Sequence, residues 1–450
     1  MLLKRQAEGR PVTVGVVGAG KFGTMFLAQA RTTDGMHVVA VADLNVARAR
    51  SQLKMASWPE AQFAATSLDD AVKTGRTCLT DDTEAMIADP RIEVIVEATG
   101  DPKTGIRLAT AAIRAGKHIV MVNVEADALA GPLLARRAKE AGVVYSLAWG
   151  DQPALVCEHV DWARACGFKI VAAGKGTRYH PTYHQSTPDT VWQILDQYMK
   201  FRDEDRGSIN PKMFNSFVDG TKSGIEMTAI CNATGLHAQS EGLSFPPATR
   251  FEVAQVCKPK SEGGVLEKVG VTEVTSSVYR DGTDVPNNLV MGTYVVFEAA
   301  EDNEYSRRCF REYSMLPDSS GRYAALYRPI HMIGLELGLS VASAALRKEP
   351  TGAAICFNSD VVATAKRKLK GGETLDGEGG FCVWGKQTPA EASLEEGYLP
   401  LGIAHNVKLK RDIEEGQRLK WSDVEIDEDD LAVRTRREME AAFARPNVSA

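Results

Sequence analysis

The sequence predicts an α/β protein whose first part is a doubly wound parallel sheet. Three observations carry this: β-branched runs alternate with helix-length segments, the first run ends in a glycine turn, and the pattern changes twice further on. Residues 12–18 (VTVGVVG) form a short apolar run that stops at glycine, as a buried strand does. GAGKFG and the apolar Met25-Phe26-Leu27-Ala28 follow, with helical character. A second strand at 37–42 ends in Asp43, and later strands are expected at 94–100, 117–123 and 143–148, with a helical stretch at 104–115. Residues 1–150 therefore read as one Rossmann-type domain.

From about residue 151 the period changes. A helix-like segment at 153–165 leads to a strand that runs into the glycine-rich turn GKGTRYHP. Residues 211–234 read as one helix, with Asn210 as N-cap, Pro211 at the first helical position and Gly235 as the closing glycine. Strand-rich runs with Asp-Gly turns come next, so 151–350 is expected to be an α+β domain for substrate binding and oligomerisation, its strands suited to pairing in a homodimer. In the last hundred residues, 351–450, Lys366–Leu375 and Lys410–Gly416 repeat a pattern of basic residues, turn, glycine and apolar residue, which predicts a small β-rich domain. The charged tail from Asp427 is expected to fray.

Composition excludes several classes. At 44% apolar and 25% charged residues the 450-residue chain is neither disordered nor of low complexity, and its length suits about three domains. A formal charge of −6 gives no general attraction for nucleic acid or anionic membrane. The N-terminus lacks a secretory pattern, and no run approaches the roughly 20 apolar residues of a bilayer span. The eight cysteines form no Cys-x-x-Cys pair, which suits reduced thiols. A cytoplasmic protein with a small-molecule substrate is expected.

Gly18-Ala19-Gly20-Lys21-Phe22-Gly23 stands between a strand and a helix, the context that makes it a dinucleotide loop. Gly18 permits the tight turn, Gly20 lets backbone approach a pyrophosphate, and Gly23 allows close helix–strand packing. Asp43, about 20 residues on, suits the ribose hydroxyls of NAD. Arg48 and Arg50 stand near enough to take the 2′-phosphate of NADP, so the residues leave both cofactors open. Glu97-Ala98-Thr99-Gly100 and Asn123 fall at the carboxyl ends of later strands, where Thr99, Gly100 and Asn123 would meet nicotinamide and ribose or simply make turns.

Within 211–234, Asn215, Asp219, Lys222 and Glu226 recur at helical spacing on one stripe. A solvated face with ion pairs has the same spacing. Gly220 and Gly224 favour a site, because glycines inside a helix often mark close approach of a backbone or ligand. A lysine between two carboxylates can stay protonated and move a proton. Lys175, in GKGTRYHP, with Arg322 and Tyr323 of SSGRY and Arg328 and His331 of YRPIH, are candidate substrate residues for an anionic group, or else surface turns and ion pairs. Glu125, Asp127 and Asp151 follow strand ends and are oxygen ligands without a spacing code for a metal.

GAGKFG, EATG, GKHIVMVNVEAD, GKGTRYHP and DGTKSGIEM together resemble the homoserine dehydrogenase superfamily. A closer resemblance runs over nearly the whole chain, through GDQPA (150–154), AAGKGT (172–177), YRPIH (327–331), LPLG (399–402) and KRDI (410–413). It is to the SAF-domain oxidoreductases related to homoserine dehydrogenase, and within them to the 1-deoxy-D-xylulose 5-phosphate reductoisomerase-like branch. That resemblance implies a C-terminal SAF-like domain, NADPH with a divalent cation (Mg or Mn), and reductive rearrangement of the sugar phosphate to 2-C-methyl-D-erythritol 4-phosphate for isoprenoid synthesis. It casts Lys222 and Asp219 as the proton-handling pair, Glu226 as an orienting or metal-side carboxylate, and Lys175, Arg322 and Arg328 as anion anchors. Two other readings remain: a homoserine dehydrogenase-like enzyme acting on another small hydroxy acid or polyol phosphate, and a non-catalytic dinucleotide sensor.

Overall fold

The computed structural model describes residues 1–197, 199, 210–300 and 302–444. These form two compact units, each assembled from two stretches of chain: Met1–Cys157 with His331–Ile355, and Glu158–Ile330 with Cys356–Ala450.

The first unit holds a six-stranded parallel sheet of β1 (Val12–Val17), β2 (Met36–Ala42), β3 (Cys78–Thr80), β4 (Val94–Glu97), β5 (His118–Met121) and β6 (Tyr145–Leu147), in the order β3-β2-β1-β4-β5-β6. The strands lack alternation because both faces are covered, as parallel sheets require. Val14, Val16, Phe26 and Leu27 make a core with Leu337, Val341 and Ala345 of the returning stretch. That stretch is fastened to β6: Leu147 N–H donates to Gly352 O at 2.7 Å, and Trp149 N–H to the Ser340 hydroxyl at 2.8 Å.

The second unit has a four-stranded mixed sheet of β7 (Lys169–Thr177), β8 (Val271–Ser276), β9 (Thr293–Glu298) and β10 (Tyr323–Arg328), in the order β10-β9-β7-β8. GKGT is not a turn after a strand but the C-terminal end of β7 itself. A Cβ on Gly174 or Gly176 would lie 1.9 or 2.0 Å from the carbonyl oxygens of Glu273 and Leu289, so these glycines admit neighbouring backbone. Nor is 211–234 one helix. It is Pro211–Val218 and Thr221–Thr234, parted at Asp219-Gly220, where Gly220 takes φ +94°.

The stretch from Cys356 belongs to the same compact unit as Glu158–Ile330. A hairpin of β11 (Ser359–Ala365) and β13 (Val383–Pro389) packs along helix 221–234, with β12 (Thr374–Asp376) and β14 (His405–Lys408) paired beside it. Gly224 permits this: its Cβ would sit 2.7 Å from Gly385 O. The close approach foreseen at Gly224 is thus to backbone of the chain's own C-terminal part. The tail does not fray before residue 443 either. Helix Leu431–Phe443 is capped by Asp430 and buries Arg436, whose guanidinium makes a forked pair with Asp360 at 3.1 and 2.6 Å. Among the described residues no helix is long and apolar enough to cross a membrane.

Candidate functional site

The glycine loop has the geometry its sequence foretold. Gly18 turns with φ +94°, and a Cβ there would meet Ala98 O at 2.7 Å. One on Gly23 would meet Gly18 O at 2.1 Å, whereas nothing lies within 4 Å of Gly20, which leaves that face open. Helix Lys21–Ala30 starts at Gly20 without a side-chain cap, and its first internal bond is Thr24 N–H to Gly20 O. The amides of Lys21, Phe22 and Gly23 therefore lie in an uncapped first turn, beside the positive end of the helix dipole. The residues present fit a dinucleotide pyrophosphate.

Asp43 differs from the expected ribose acceptor. Its Oδ2 takes the Ala19 N–H at 2.9 Å, its Oδ1 the Asn45 N–H at 2.8 Å, and Arg48 forks across both oxygens. Burial opposes its charge, but these bonds outweigh it and hold the carboxyl below the usual range. The Asp43 side chain is 1% exposed against 55% for Arg48, so the rim of the site presents a guanidinium. Arg50 lies over the Phe63 ring instead.

At the end of β4, Thr99 and Gly100 are exposed while Glu97 is wholly buried. Glu97 Oε1 accepts from the Thr99 N–H at 2.9 Å and from the Thr99 hydroxyl. Burial pushes the Glu97 carboxyl up to about 7, against the opposing pull of Thr99 and the Asn123 amide. Asn123 caps helix Val124–Glu140 through Oδ1 and donates to Asp101 O at 2.9 Å. Asp127, read as a metal ligand, faces inward: it accepts from Tyr145 OH at 2.9 Å, and burial pushes it up to about 7. Asp151 accepts from its neighbour's Gln152 N–H. Among the described residues no group of three or more His, Cys, Asp or Glu side chains has an arrangement that could hold a metal ion, so the expected divalent cation does not fit them.

In the second unit, Lys175 Nζ and Glu226 Oε2 form a buried ion pair that unites two separately predicted candidates. Lys222, one turn before Glu226 on the same helix, is half-buried. Asp219 is drawn elsewhere. Its Oδ1 caps the new helix at Thr221 N–H (2.9 Å), and its Oδ2 lies 2.8 Å from Lys366 Nζ. The break at Gly220 thus removes Asp219 from the stripe and turns it into a structural anchor. Its carbonyl accepts from His184 Nδ1 at 2.7 Å, and the His184 ring stacks on Trp384 and meets the Tyr179 hydroxyl. Sequence reading missed Lys366 and His184; Lys366 stands in a basic run that looks like any surface turn.

The remaining anchors have partners or positions of their own. Arg322 is held by Glu298 (2.7 Å) and Glu262 (3.2 Å), and the Tyr323 hydroxyl donates to the same Glu262 at 2.6 Å. Arg322 and Tyr323 are thus tied to carboxylates of the chain itself in a half-exposed network. Arg328 ends β10, half-buried. His331 belongs to the other unit, three residues before Gly334, whose Cβ would lie 2.7 Å from Phe22 O.

Residues 12–122 match the family model described as the GFO/IDH/MocA oxidoreductase family, NAD-binding Rossmann fold. Residues 150–337 match the model described as oxidoreductase DRL, catalytic domain. Both matched stretches are oxidoreductase domains, the first of them NAD-binding. No curated relative matches the chain's sequence. Among solved structures, a probable dehydrogenase of Thermotoga maritima is 12% identical, with 75% of this chain and 90% of that chain covered and a TM-score of 0.35. Myo-inositol dehydrogenase of Lactobacillus casei is 15% identical over 42% of this chain and 53% of its own, at a TM-score of 0.28. Biliverdin reductase of Synechocystis is 20% identical over 43% and 60%, at 0.25. At such scores none of these likenesses bears on activity.

Proposed function

We propose that this NAD(P)-binding oxidoreductase uses NADPH to rearrange 1-deoxy-D-xylulose 5-phosphate and reduce the resulting aldehyde to 2-C-methyl-D-erythritol 4-phosphate. The observation that carries the cofactor half is Arg48, forked over the buried Asp43 beside an open glycine loop. A guanidinium there recognises a 2′-phosphate, while the carboxylate that would favour ribose hydroxyls is already saturated. The substrate half rests on the sequence resemblance and is compatible with the oxidoreductase catalytic-domain match over 150–337.

When bound, NADPH would supply the hydride for the reduction. The chain must supply a proton to the oxygen that becomes the hydroxyl. In this reading Lys222 donates it, and the Lys175–Glu226 pair orients the reacting group and balances the charge. Asp219 is a positioning residue that fixes the start of the helix bearing Lys222. Thr99, Gly100 and Asn123 line the nicotinamide half, Arg328 helps hold the substrate phosphate, and a homodimer is the proposed assembly. The described residues do not offer a donor set for a divalent cation.

The test is incubation of purified protein with that sugar phosphate and NADPH, with and without Mg²⁺ or Mn²⁺, followed at 340 nm and by product identification. NADPH oxidation with formation of the branched polyol phosphate is expected. Turnover only with another hydroxy acid or polyol phosphate overturns the substrate and favours the homoserine dehydrogenase-like reading. Cofactor binding without turnover on any such compound favours a sensor.

A further inference from the structure

Glu97 is buried at a place where its charge is unfavourable. It ends β4 beside the glycine turn: Ala98 N–H donates to Val17 O at 2.9 Å, and Gly18 leaves no room for a Cβ against Ala98 O. Oε1 fixes Thr99 through both its N–H and its hydroxyl. Oε2 is buried without a well-formed hydrogen bond, the Asn123 amide being the group that pulls on the carboxyl besides Thr99. The like charge of Glu125 disfavours a negative charge here as well. A glutamine or an apolar residue would fill this space without the desolvation penalty of a carboxyl group. The carboxyl earns its place through what it holds, which is Thr99, exposed at the rim, and through it Asn123, whose Nδ2 lies 3.4 Å from Thr99 Oγ1.

In a doubly wound sheet the two halves receive the two halves of a dinucleotide, and β4 opens the half opposite Asp43 and Arg48. We infer that Glu97 is a positioning residue for the nicotinamide half of the cofactor, acting through Thr99 and Asn123 and not on the adenosine half. This deepens the cofactor reading above and rests on it. Glu97→Gln keeps the volume but turns an amide donor toward Asn123's own amide, so the Thr99–Asn123 pair must shift.

The measurement is calorimetric binding of NADPH and of 2′,5′-ADP, which carries only the phosphorylated adenosine half, to wild type and to Glu97→Gln. The expected result is NADPH bound about tenfold more weakly by the variant, with 2′,5′-ADP changed less than twofold. Thr99→Val, which removes the hydroxyl alone, should show a smaller loss of the same kind and serves if Glu97→Gln does not fold. Unchanged NADPH affinity overturns the inference, and so does equal weakening of both ligands, which marks a merely structural role. Wild type that binds neither ligand overturns the cofactor reading itself, and this inference with it.

Discussion

Lys366 Nζ lies 2.8 Å from Asp219 Oδ2, and the same ammonium donates to Ser186 O at 2.7 Å and to Gly380 O at 2.8 Å. Two of its protons go to carbonyls while its charge is paired with the carboxylate, and both charged side chains are buried. Asp219 also caps helix 221–234, so the C-terminal part of the chain holds the helix break by an ion pair. Removing one partner of a buried pair leaves an uncompensated charge, which costs about 3–5 kcal/mol. Lys366→Met should lose about that much by chemical denaturation, and Asp219→Asn combined with Lys366→Met should recover a large part. Additive losses in the double variant would mean that the two residues are not coupled.

Arg48 bears on cofactor choice. Losing a charge-assisted hydrogen bond to a phosphate weakens binding by about 1.5–3 kcal/mol. Arg48→Ala should therefore bind NADPH at least about tenfold more weakly, with NADH much less affected. An equal change for both cofactors would refute a 2′-phosphate contact.

In the proposed mechanism Lys222 is the proton donor. Removing a positioned general acid lowers turnover by about 10²–10⁴-fold. Lys222→Ala should fall in that range with NADPH affinity unchanged. Glu226→Gln should also lower kcat, while leaving Lys175 buried without its countercharge, so its melting temperature should fall as well. Full turnover in Lys222→Ala would remove the lysine from the mechanism.

Asp127 predicts a pH effect on stability. Its folded carboxyl is held up to about 7, against 3.8 when solvated. Between those values the folded protein keeps a proton that the unfolded chain releases, so this group's contribution to stability falls as pH rises from about 4 to about 7 and is flat above. Asp127→Asn carries no such penalty and still accepts from Tyr145. The melting temperature of the variant minus that of wild type should grow from pH 5 to pH 8, and a difference independent of pH would contradict the burial argument.

The dinucleotide half of this fold was legible because its signals are local. Gly18 turns with positive φ and Gly23 must clear Gly18 O five residues back, while Gly20 meets nothing in the chain, so the motif is written in one short run of sequence. Asp43 was visible as a residue but not as a bonded one, since the Ala19 N–H and the Arg48 fork that saturate it are set by the fold. Helix 211–234 looked continuous because a glycine with positive φ is indistinguishable in sequence from one that packs closely; Gly220 is the first kind and Gly224 the second. Lys175 and Glu226 were each singled out, yet nothing local said that they meet. Lys366 and Arg436 were hidden for the same reason, because a buried lysine or arginine is defined only by the distant carboxylate it reaches.

The return of residues 331–355 to the first unit bears on how this protein can be taken apart. A gene fragment ending at 150 would encode every β-strand of the parallel sheet but omit Leu337, Val341 and Ala345, each fully or almost fully buried in its core. Such a fragment should aggregate when expressed. A spliced version, joining residues 1–157 to 331–355 through a flexible tether, should be the smallest soluble piece that still binds the nucleotide.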